Sequence, residues 1–342
     1  MELDYSHISL ESSNDEERQD VPSRENINPW MTRQTAETRN PNIQLHLEII
    51  DFYNYIKPKD KDNKYRYDIY LKLKNIVEGE IPDSKLLLFG SYITQLYLPN
   101  SDIDLVLCQS EISSAKLLKK TSKIMQRETS VFTNVEVISN ATVSIIKFTE
   151  KESGFDFDIT FNEESGFATV EEVKAALDIH YELKYLILLL KLILRQRKLN
   201  NTYTGGIGSF LLFCMLLAFV RHYKSGLVQR HGVQVLESLT LGDFLLNFLK
   251  FYGKEFNYNQ EEIFLTGGNT VRNKKSDSFN FSLWSPQDKD QNIGNKCYKF
   301  KEIFNVFRNR YHFLVNRPTE AGESILVHLI NPSFRDFNIY LK

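Results

Sequence analysis

The chain has 342 residues, enough for two domains, and its content of 42% apolar and 25% charged residues is that of an ordinary soluble protein. Its longest apolar run, residues 210–220, falls short of the roughly 20 residues that span a bilayer, and its acidic, polar start predicts no signal peptide. A formal net charge of −2 argues against a protein that binds nucleic acid tightly by itself, so for a role on RNA it favours a partner that supplies binding, unless a local basic groove does so.

The first segment, residues 1–41, is rich in Ser, Asn, Asp, Glu and Arg and predicts a disordered arm. The apolar motif at residues 28–31 is either a short docking motif or a stray cluster. The three cysteines, Cys108, Cys214 and Cys297, lie far apart without metal-ligand spacing. They predict reduced thiols in the cytosol or nucleus.

Hydrophobic periodicity next predicts a mixed α/β segment. Helices are expected over residues 45–56, 62–77 and 113–127, and strands over residues 86–89, 103–108, 131–138, 143–148 and 155–161.

After residue 164 the pattern becomes helical. Apolar residues recur at helical spacing around residues 185–192, 207–223, 239–252 and 300–311. A polar stretch containing Gly267 and Gly268, and a loop around Pro286, separate the last two helices. An α/β segment is thus followed by an all-helical one, against which the first helix must also pack.

Paired aspartates are the strongest chemical signal. Asp102 and Asp104 lie two residues apart at the start of a predicted strand, so they share a face. Two neighbouring carboxylates repel unless a cation lies between them, and Mg²⁺ prefers such oxygen ligands. Gly90 and Ser91 follow the preceding strand and suit a close approach of phosphate. A third carboxylate is expected from Asp156 or Asp158, which share a face of the strand at residues 155–161.

Basic residues form a stripe on the helix that follows. Lys184, Lys191, Arg195 and Lys198 lie on one face. Lys191 falls within an apolar stretch, where a charge is costly unless it has a partner. A triphosphate is one such partner, and extension of the lysine to the surface is the alternative.

Two further segments are weaker candidates. Residues 204–210 form a glycine-rich helix start, where Ser209 and free N–H groups can bind an anion and Phe210 can stack on a base. The polar loop at residues 292–296 either reads a base edge or is an ordinary turn.

Together these elements resemble the noncanonical poly(A) RNA polymerases of the TRAMP complex, in the DNA polymerase beta-like nucleotidyltransferase superfamily. The resemblance is carried by residues 89–106, 144–161, 189–210, 241–258 and 291–303. It implies an α+β fold. A palm with a mixed sheet would occupy residues 60–163. An all-helical central domain would contain residues 42–59 and 164–320, with a PAP-associated region at about 239–300, and residues 321–342 would form a C-terminal tail.

The resemblance also implies roles for individual residues. Asp102, Asp104 and Asp158 would hold two Mg²⁺ ions, with Mn²⁺ as an alternative, and ATP would be the substrate. The residues that would bind the nucleotide are Gly90, Ser91, Ser165, Lys191, Arg195, Ser209, Phe210, Asp288, Gln291 and Asn292.

This sequence departs from the family at three of these places. Ser285 replaces an Asp before the base-reading loop, Ser165 replaces an Asn that contacts ribose, and Gln291 stands where related uridylyltransferases have His. The last difference argues against uridine without establishing adenine.

The implied activity is template-independent addition of short poly(A) tails to RNA 3′ ends. The implied partners are a zinc-knuckle RNA-binding protein and a DExH-box helicase, which pass defective RNAs to the exosome. The implied compartment is the nucleus, including the nucleolus. A terminal uridylyltransferase and an inactive scaffold are the alternative hypotheses.

Overall fold

The computed structural model describes residues 28–139, 143–163, 165–266, 270–275, 279–316 and 322–332. The first part of the chain forms α1 (Arg33–Ala36), α2 (Pro41–Ile56), α3 (Asp60–Glu80), β1 (Lys85–Leu88), α4 (Gly90–Thr94), β2 (Ile103–Cys108), α5 (Ser114–Arg127), β3 (Phe132–Ile138), β4 (Ile145–Glu150) and β5 (Asp156–Phe161). The second part forms α6 (Ser165–Ile179), α7 (Glu182–Arg195), α8 (Ser209–His231), α9 (Leu241–Lys250), β6 (Glu261–Phe264), β7 (Val271–Asn273), β8 (Leu283–Trp284) and α10 (Phe300–Asn316).

The five strands of the first part form one mixed sheet in the order β1-β2-β5-β4-β3. β2 and β5 are parallel, and the other neighbouring pairs are antiparallel. Because side chains alternate along a strand, the buried Ile103, Leu105 and Leu107 face the core beneath α3 and α5 while Asp104 faces the opposite side. The α+β class with a mixed sheet is confirmed.

The helical core centres on α7 and α8, with α2 and α9 packed against α7. Every residue from Leu211 to Val220 is buried. By length and composition alone, α8 is apolar enough to cross a membrane. An interior helix passes the same test, and the burial of α8 inside this core accounts for its composition.

The second part of the chain is not all helical, and that detail of the prediction is wrong. β6, β7 and β8 form a small sheet in the order β7-β6-β8. Its strands are only two to four residues long, too short for alternating hydrophobicity to reveal them. Phe264 and Trp284 stack across it with ring centroids 5.8 Å apart.

The predicted disordered arm is wrong for residues 28–41. Trp30 is only 3% exposed and lies edge-on to Phe52, and its indole Nε1 donates a hydrogen bond to Glu48 at 3.0 Å. The apolar motif at residues 28–31 is therefore an anchor within the chain itself. Residues 1–27 lie outside the described part.

The predicted C-terminal tail also begins too early. Ile325 is buried, and its backbone N–H donates to Glu48 Oε2 at 2.8 Å. Ser324 donates its hydroxyl to the same carboxylate. Residues 322–332 thus belong to the helical core, and residues 333–342 lie outside the described part.

Replacing Glu48 with Ala is expected to destabilise the protein by about 2–4 kcal/mol, because the donors of Trp30, Ser324 and Ile325 would lose a buried acceptor. Burial raises the pKa of Glu48, so Glu48→Gln, which keeps one acceptor oxygen and removes the buried charge, should cost less. Urea unfolding of both variants measures the difference. Equal stability of the Ala variant and the wild type would contradict this account.

Candidate active site

Three aspartates meet at the inner strands β2 and β5 of the mixed sheet. Asp104 on β2 is in register with Asp158 on the parallel strand β5, and Asp102 lies just before β2. All three line a cavity of about 630 Å³ between the sheet and the helical core. Burial, and then the charges of Asp102 and Asp158, raise the pKa of Asp104 to about 7.

The sequence left Asp156 and Asp158 as alternatives for the third carboxylate, and they occupy different positions. Asp158 lines the cavity. Asp156 is exposed at the start of β5, where Thr149 donates its hydroxyl to Asp156 Oδ1 at 2.7 Å.

Gly90 provides the close approach that this site requires. It has φ +66°, and a Cβ atom placed on it would lie 2.4 Å from Asp104 Oδ2. A side chain at this position would both strain the backbone and collide with the carboxylate. Ser91 follows in the first turn of α4 and also lines the cavity.

Lys147 is the main site residue that the sequence analysis missed. It lies opposite Asp158 in the β4–β5 register and forms an ion pair with Asp158 Oδ2. Although burial works against its charge, the hydrogen bond and charge of Asp158 raise the pKa of Lys147. Its position within the otherwise apolar run Ile145–Phe148 is the sequence feature that could have indicated a role for Lys147 in the site.

Two residues of the basic stripe line the cavity. Lys191 Nζ donates to the Leu96 carbonyl at 2.6 Å, and Arg195 donates to the Asn100 carbonyl at 2.8 Å. Burial lowers the pKa of Lys191 to about 8, against the opposing effect of Asp104 and Asp102. Lys191 therefore points into the cavity rather than to the surface.

The loop that precedes Asp102 is held from two sides. Lys191 and Arg195 bind it from α7. From α3, Arg66 donates to the Ser101 carbonyl at 2.9 Å and to the Pro99 carbonyl at 2.6 Å. The backbone entering the aspartate pair is thus fixed by side chains of both halves of the molecule.

The start of α8 forms another wall of the cavity. Ser209 and Phe210 both line the cavity there. Gly205, with φ +76°, turns the chain into this helix, and a Cβ on Gly206 would lie 2.4 Å from the Leu199 carbonyl oxygen. The glycines are needed for this turn and close packing.

The residues predicted to read the base do not line the cavity. Asn292 Oδ1 accepts the backbone N–H groups of Leu283 at 3.1 Å and Gly294 at 3.0 Å, so it shapes its own loop. Gln291 and Asp288 are joined by a backbone hydrogen bond in the same loop. The side chain of Ser165 lies outside the described part.

The loop still contacts the cavity at one point. Gln287 Nε2 donates to Thr169 Oγ1 at 3.0 Å, and Thr169 on α6 lines the cavity. Neither residue was identified from the sequence.

Comparison with known proteins shows which family this geometry resembles. The sequence-family model for the central palm domain of mitochondrial-like poly(A) RNA polymerases matches residues 45–171. The sequence-family model for Cid1 family poly A polymerases matches residues 240–298. A solved structure of the polymerase core of TRAMP, an RNA surveillance complex, superposes with a TM-score of 0.75 at 28% identity, covering 86% of this chain and 96% of that one. In both matched regions the chain is similar to noncanonical poly(A) RNA polymerases.

Curated relatives show the same similarity. Poly(A) RNA polymerase CID14 of Cryptococcus neoformans is 30% identical over 92% of this chain and 42% of its own length. Poly(A) RNA polymerase protein 2 of Saccharomyces cerevisiae is 29% identical over 88% of this chain and 54% of its own. The chain spans about half the length of these noncanonical poly(A) polymerases.

The donor set of this chain suits a divalent cation with oxygen ligands. Within the described ranges, no group of three or more His, Cys, Asp and Glu side chains is spaced to hold a metal ion by itself. Mg²⁺ is usually held by one or two carboxylates, with substrate phosphate and water completing its coordination. Burial, and then the charges of Asp102 and Asp158, raise the pKa of Asp104, so a bound cation would stabilise its ionised form. Asp102, Asp104 and Asp158 would hold such a cation.

Proposed function

We propose that this chain is a template-independent RNA nucleotidyltransferase that adds adenylates from ATP to RNA 3′ ends. The observation that carries the proposal is the convergence of Asp102, Asp104 and Asp158 on a cavity that also contains Lys191 and Arg195. In the reaction the RNA 3′ oxygen attacks the α-phosphorus of ATP. A new phosphodiester forms, the bond to the β-phosphate breaks, and pyrophosphate leaves.

Different residues of this chain would contact the triphosphate and the base of the nucleotide. Lys191 and Arg195 supply positive charge for the triphosphate, and Ser91 and Ser209 supply hydroxyl groups. Phe210 offers a ring for the base of the incoming nucleotide. Bound Mg²⁺ would lower the pKa of the attacking hydroxyl and neutralise the leaving pyrophosphate.

Asp158 would receive the proton of the 3′-hydroxyl. Its carboxylate lies in register with Asp104 and in contact with Lys147. The ammonium of Lys147 fixes the orientation of this carboxylate and balances its charge when the hydroxyl approaches.

Incubating the purified chain with labelled oligoadenylate RNA, Mg²⁺ and each nucleotide separately tests the proposal. We expect ATP to be incorporated best. A clear preference for UTP would replace the adenylyltransferase with a terminal uridylyltransferase.

We also propose that the chain works as the polymerase subunit of a TRAMP-like complex. Its likeness to the TRAMP polymerase core and its net charge of −2 support this role. The partners would be a zinc-knuckle RNA-binding protein and a DExH-box helicase, delivering tailed RNAs to the exosome in the nucleus. Adding a zinc-knuckle partner should increase tailing. Absence of incorporation even with the partner present would favour an inactive scaffold.

A fluorescent fusion tests the proposed compartment. We expect nuclear fluorescence, with the nucleolus included. An exclusively cytoplasmic signal would contradict the nuclear role while leaving the chemistry untouched.

A further inference from the structure

An exposed aromatic residue stands at the wall of the catalytic cavity and has no role in the mechanism above. Tyr203 lines the cavity, yet 57% of it is exposed. A large apolar ring left open to solvent beside a reaction site is suited to contact a ligand.

The backbone holds this ring in a defined place. Tyr203 lies in the short 3₁₀ helix Thr202–Thr204, and its N–H donates to Asn201 Oδ1 at 2.9 Å. The N–H of Gly206 then donates to the Asn201 carbonyl at 2.8 Å. Lys299 donates to the Gly205 carbonyl at 3.0 Å, which ties the turn to the segment before α10. The exposure of Tyr203 therefore belongs to a fixed turn.

The ring lies on the Asp158 side of the cavity. Lys147 Nζ is 5.9 Å from the Tyr203 ring centroid and also contacts Asp158. The cations for the triphosphate, Lys191 and Arg195, come from α7. In the proposed reaction the attacking RNA end reaches Asp158, which would bring its last nucleotide beside Tyr203.

We infer that Tyr203 is the stacking platform for the 3′-terminal base of the RNA. This inference rests on the proposed function, because it takes the RNA end as the nucleophile. Stacking on an aromatic ring is tolerant of sequence, since every base has a π face. Such a contact suits an enzyme that extends an end without a template and without a basic surplus.

Steady-state kinetics with Mg²⁺, ATP and oligoadenylate test the platform. We expect Tyr203→Ala to raise the KM for RNA by about 5- to 100-fold while the KM for ATP stays unchanged, and Tyr203→Phe to retain the wild-type value. Phe279→Ala is the matched control, because Phe279 is 74% exposed and does not line the cavity. An RNA that ends in an abasic ribonucleotide should raise the KM of the wild type by the same factor and have little effect on Tyr203→Ala.

A binding measurement separates this inference from the proposed activity. RNA with 2-aminopurine at its 3′ end should lose fluorescence on binding the wild type and Tyr203→Phe, but not Tyr203→Ala. Quenching without incorporation would overturn the proposed function and support the platform. Quenching that persists in Tyr203→Ala, or an equal rise in the KM for ATP and RNA, would overturn the platform while leaving the activity in place.

Discussion

Replacing Asp104 with Asn is expected to abolish nucleotide transfer and, at the same time, to stabilise the protein in the absence of metal. The carboxylate lies between Asp102 and Asp158, and their charges add to the burial that raises its pKa to about 7. Asn keeps the shape and removes the repelling charge. Loss of a metal-binding carboxylate should lower the rate by more than about 10³-fold, because metal catalysis contributes several kcal/mol.

The gain in stability should depend on pH in a defined direction. Because the pKa of Asp104 is higher in the folded than in the unfolded protein, its contribution to stability is largest in acid and falls as pH rises toward about 7. The Asn variant lacks this titration. In EDTA at pH 8 the free energy of unfolding of the Asn variant should exceed that of the wild type by on the order of 1–3 kcal/mol. At pH 4 the two values should be equal.

Urea unfolding and tailing assays on the same preparations measure both effects. Asp156→Asn is the matched control, because Asp156 lies on β5 but does not line the cavity. We expect it to retain activity and to change stability by no more than about 0.5 kcal/mol. Full activity of Asp104→Asn would refute the assignment of the metal site.

Replacing Lys191 with Met is expected to lower kcat/KM for ATP by about 10²-fold, the effect of losing a charged hydrogen bond to phosphate of about 3 kcal/mol. Met preserves most of the packing of the lysine stem. The wild type should also lose kcat/KM above pH 8, because burial lowers the pKa of Lys191 to about 8 and the neutral amine no longer attracts phosphate. Lys191→Arg should move this decline beyond the measurable range.

Stability should change with pH in the opposite direction to activity. Between pH 8 and the ordinary lysine pKa of 10.5, the folded protein binds fewer protons at Lys191 than the unfolded chain. The free energy of unfolding contributed by this residue therefore rises over that interval while activity falls. Alkaline unfolding would make both decline together.

Lys184→Met provides the control for the helix. Lys184 lies on α7 but contacts the Tyr185 ring, with Nζ 5.1 Å from its centroid, and does not line the cavity. Its kcat/KM profile should match that of the wild type. A profile for Lys191→Met that still falls above pH 8 would assign the titration to another group.

The fold and the aspartate pair were predictable because they depend on local patterns. Alternating residues place Asp102 and Asp104 on the face opposite Ile103 and Leu105 wherever the strand lies. Helical periodicity likewise located α2, α3, α5, α7 and α9 to within a few residues, whereas α8 and α10 extend eight and five residues beyond their predicted ends. The contact of Lys147 with Asp158 could not be found this way, since it depends on which strands pair and in which register.

The remaining differences also have non-local causes. Trp30 and Ile325 read as parts of polar terminal segments, and only the three-dimensional position of Glu48 joins them to the core. The base-reading role of Asn292 relied on likeness in sequence and stays a prediction; its Oδ1 accepts the backbone N–H groups of Leu283 and Gly294. A polar residue in a loop has many local partners, and composition does not choose among them.

The seven residues from Gln95 to Ser101 connect the two halves of the molecule beside the cavity. Arg66 donates hydrogen bonds to this segment from α3, and Lys191 and Arg195 donate hydrogen bonds to it from α7. We expect an opening of the cleft to loosen the peptide that leads into Asp102 as well. In the proposed reaction, entry of a new RNA end would then be coupled to loosening of the first aspartate.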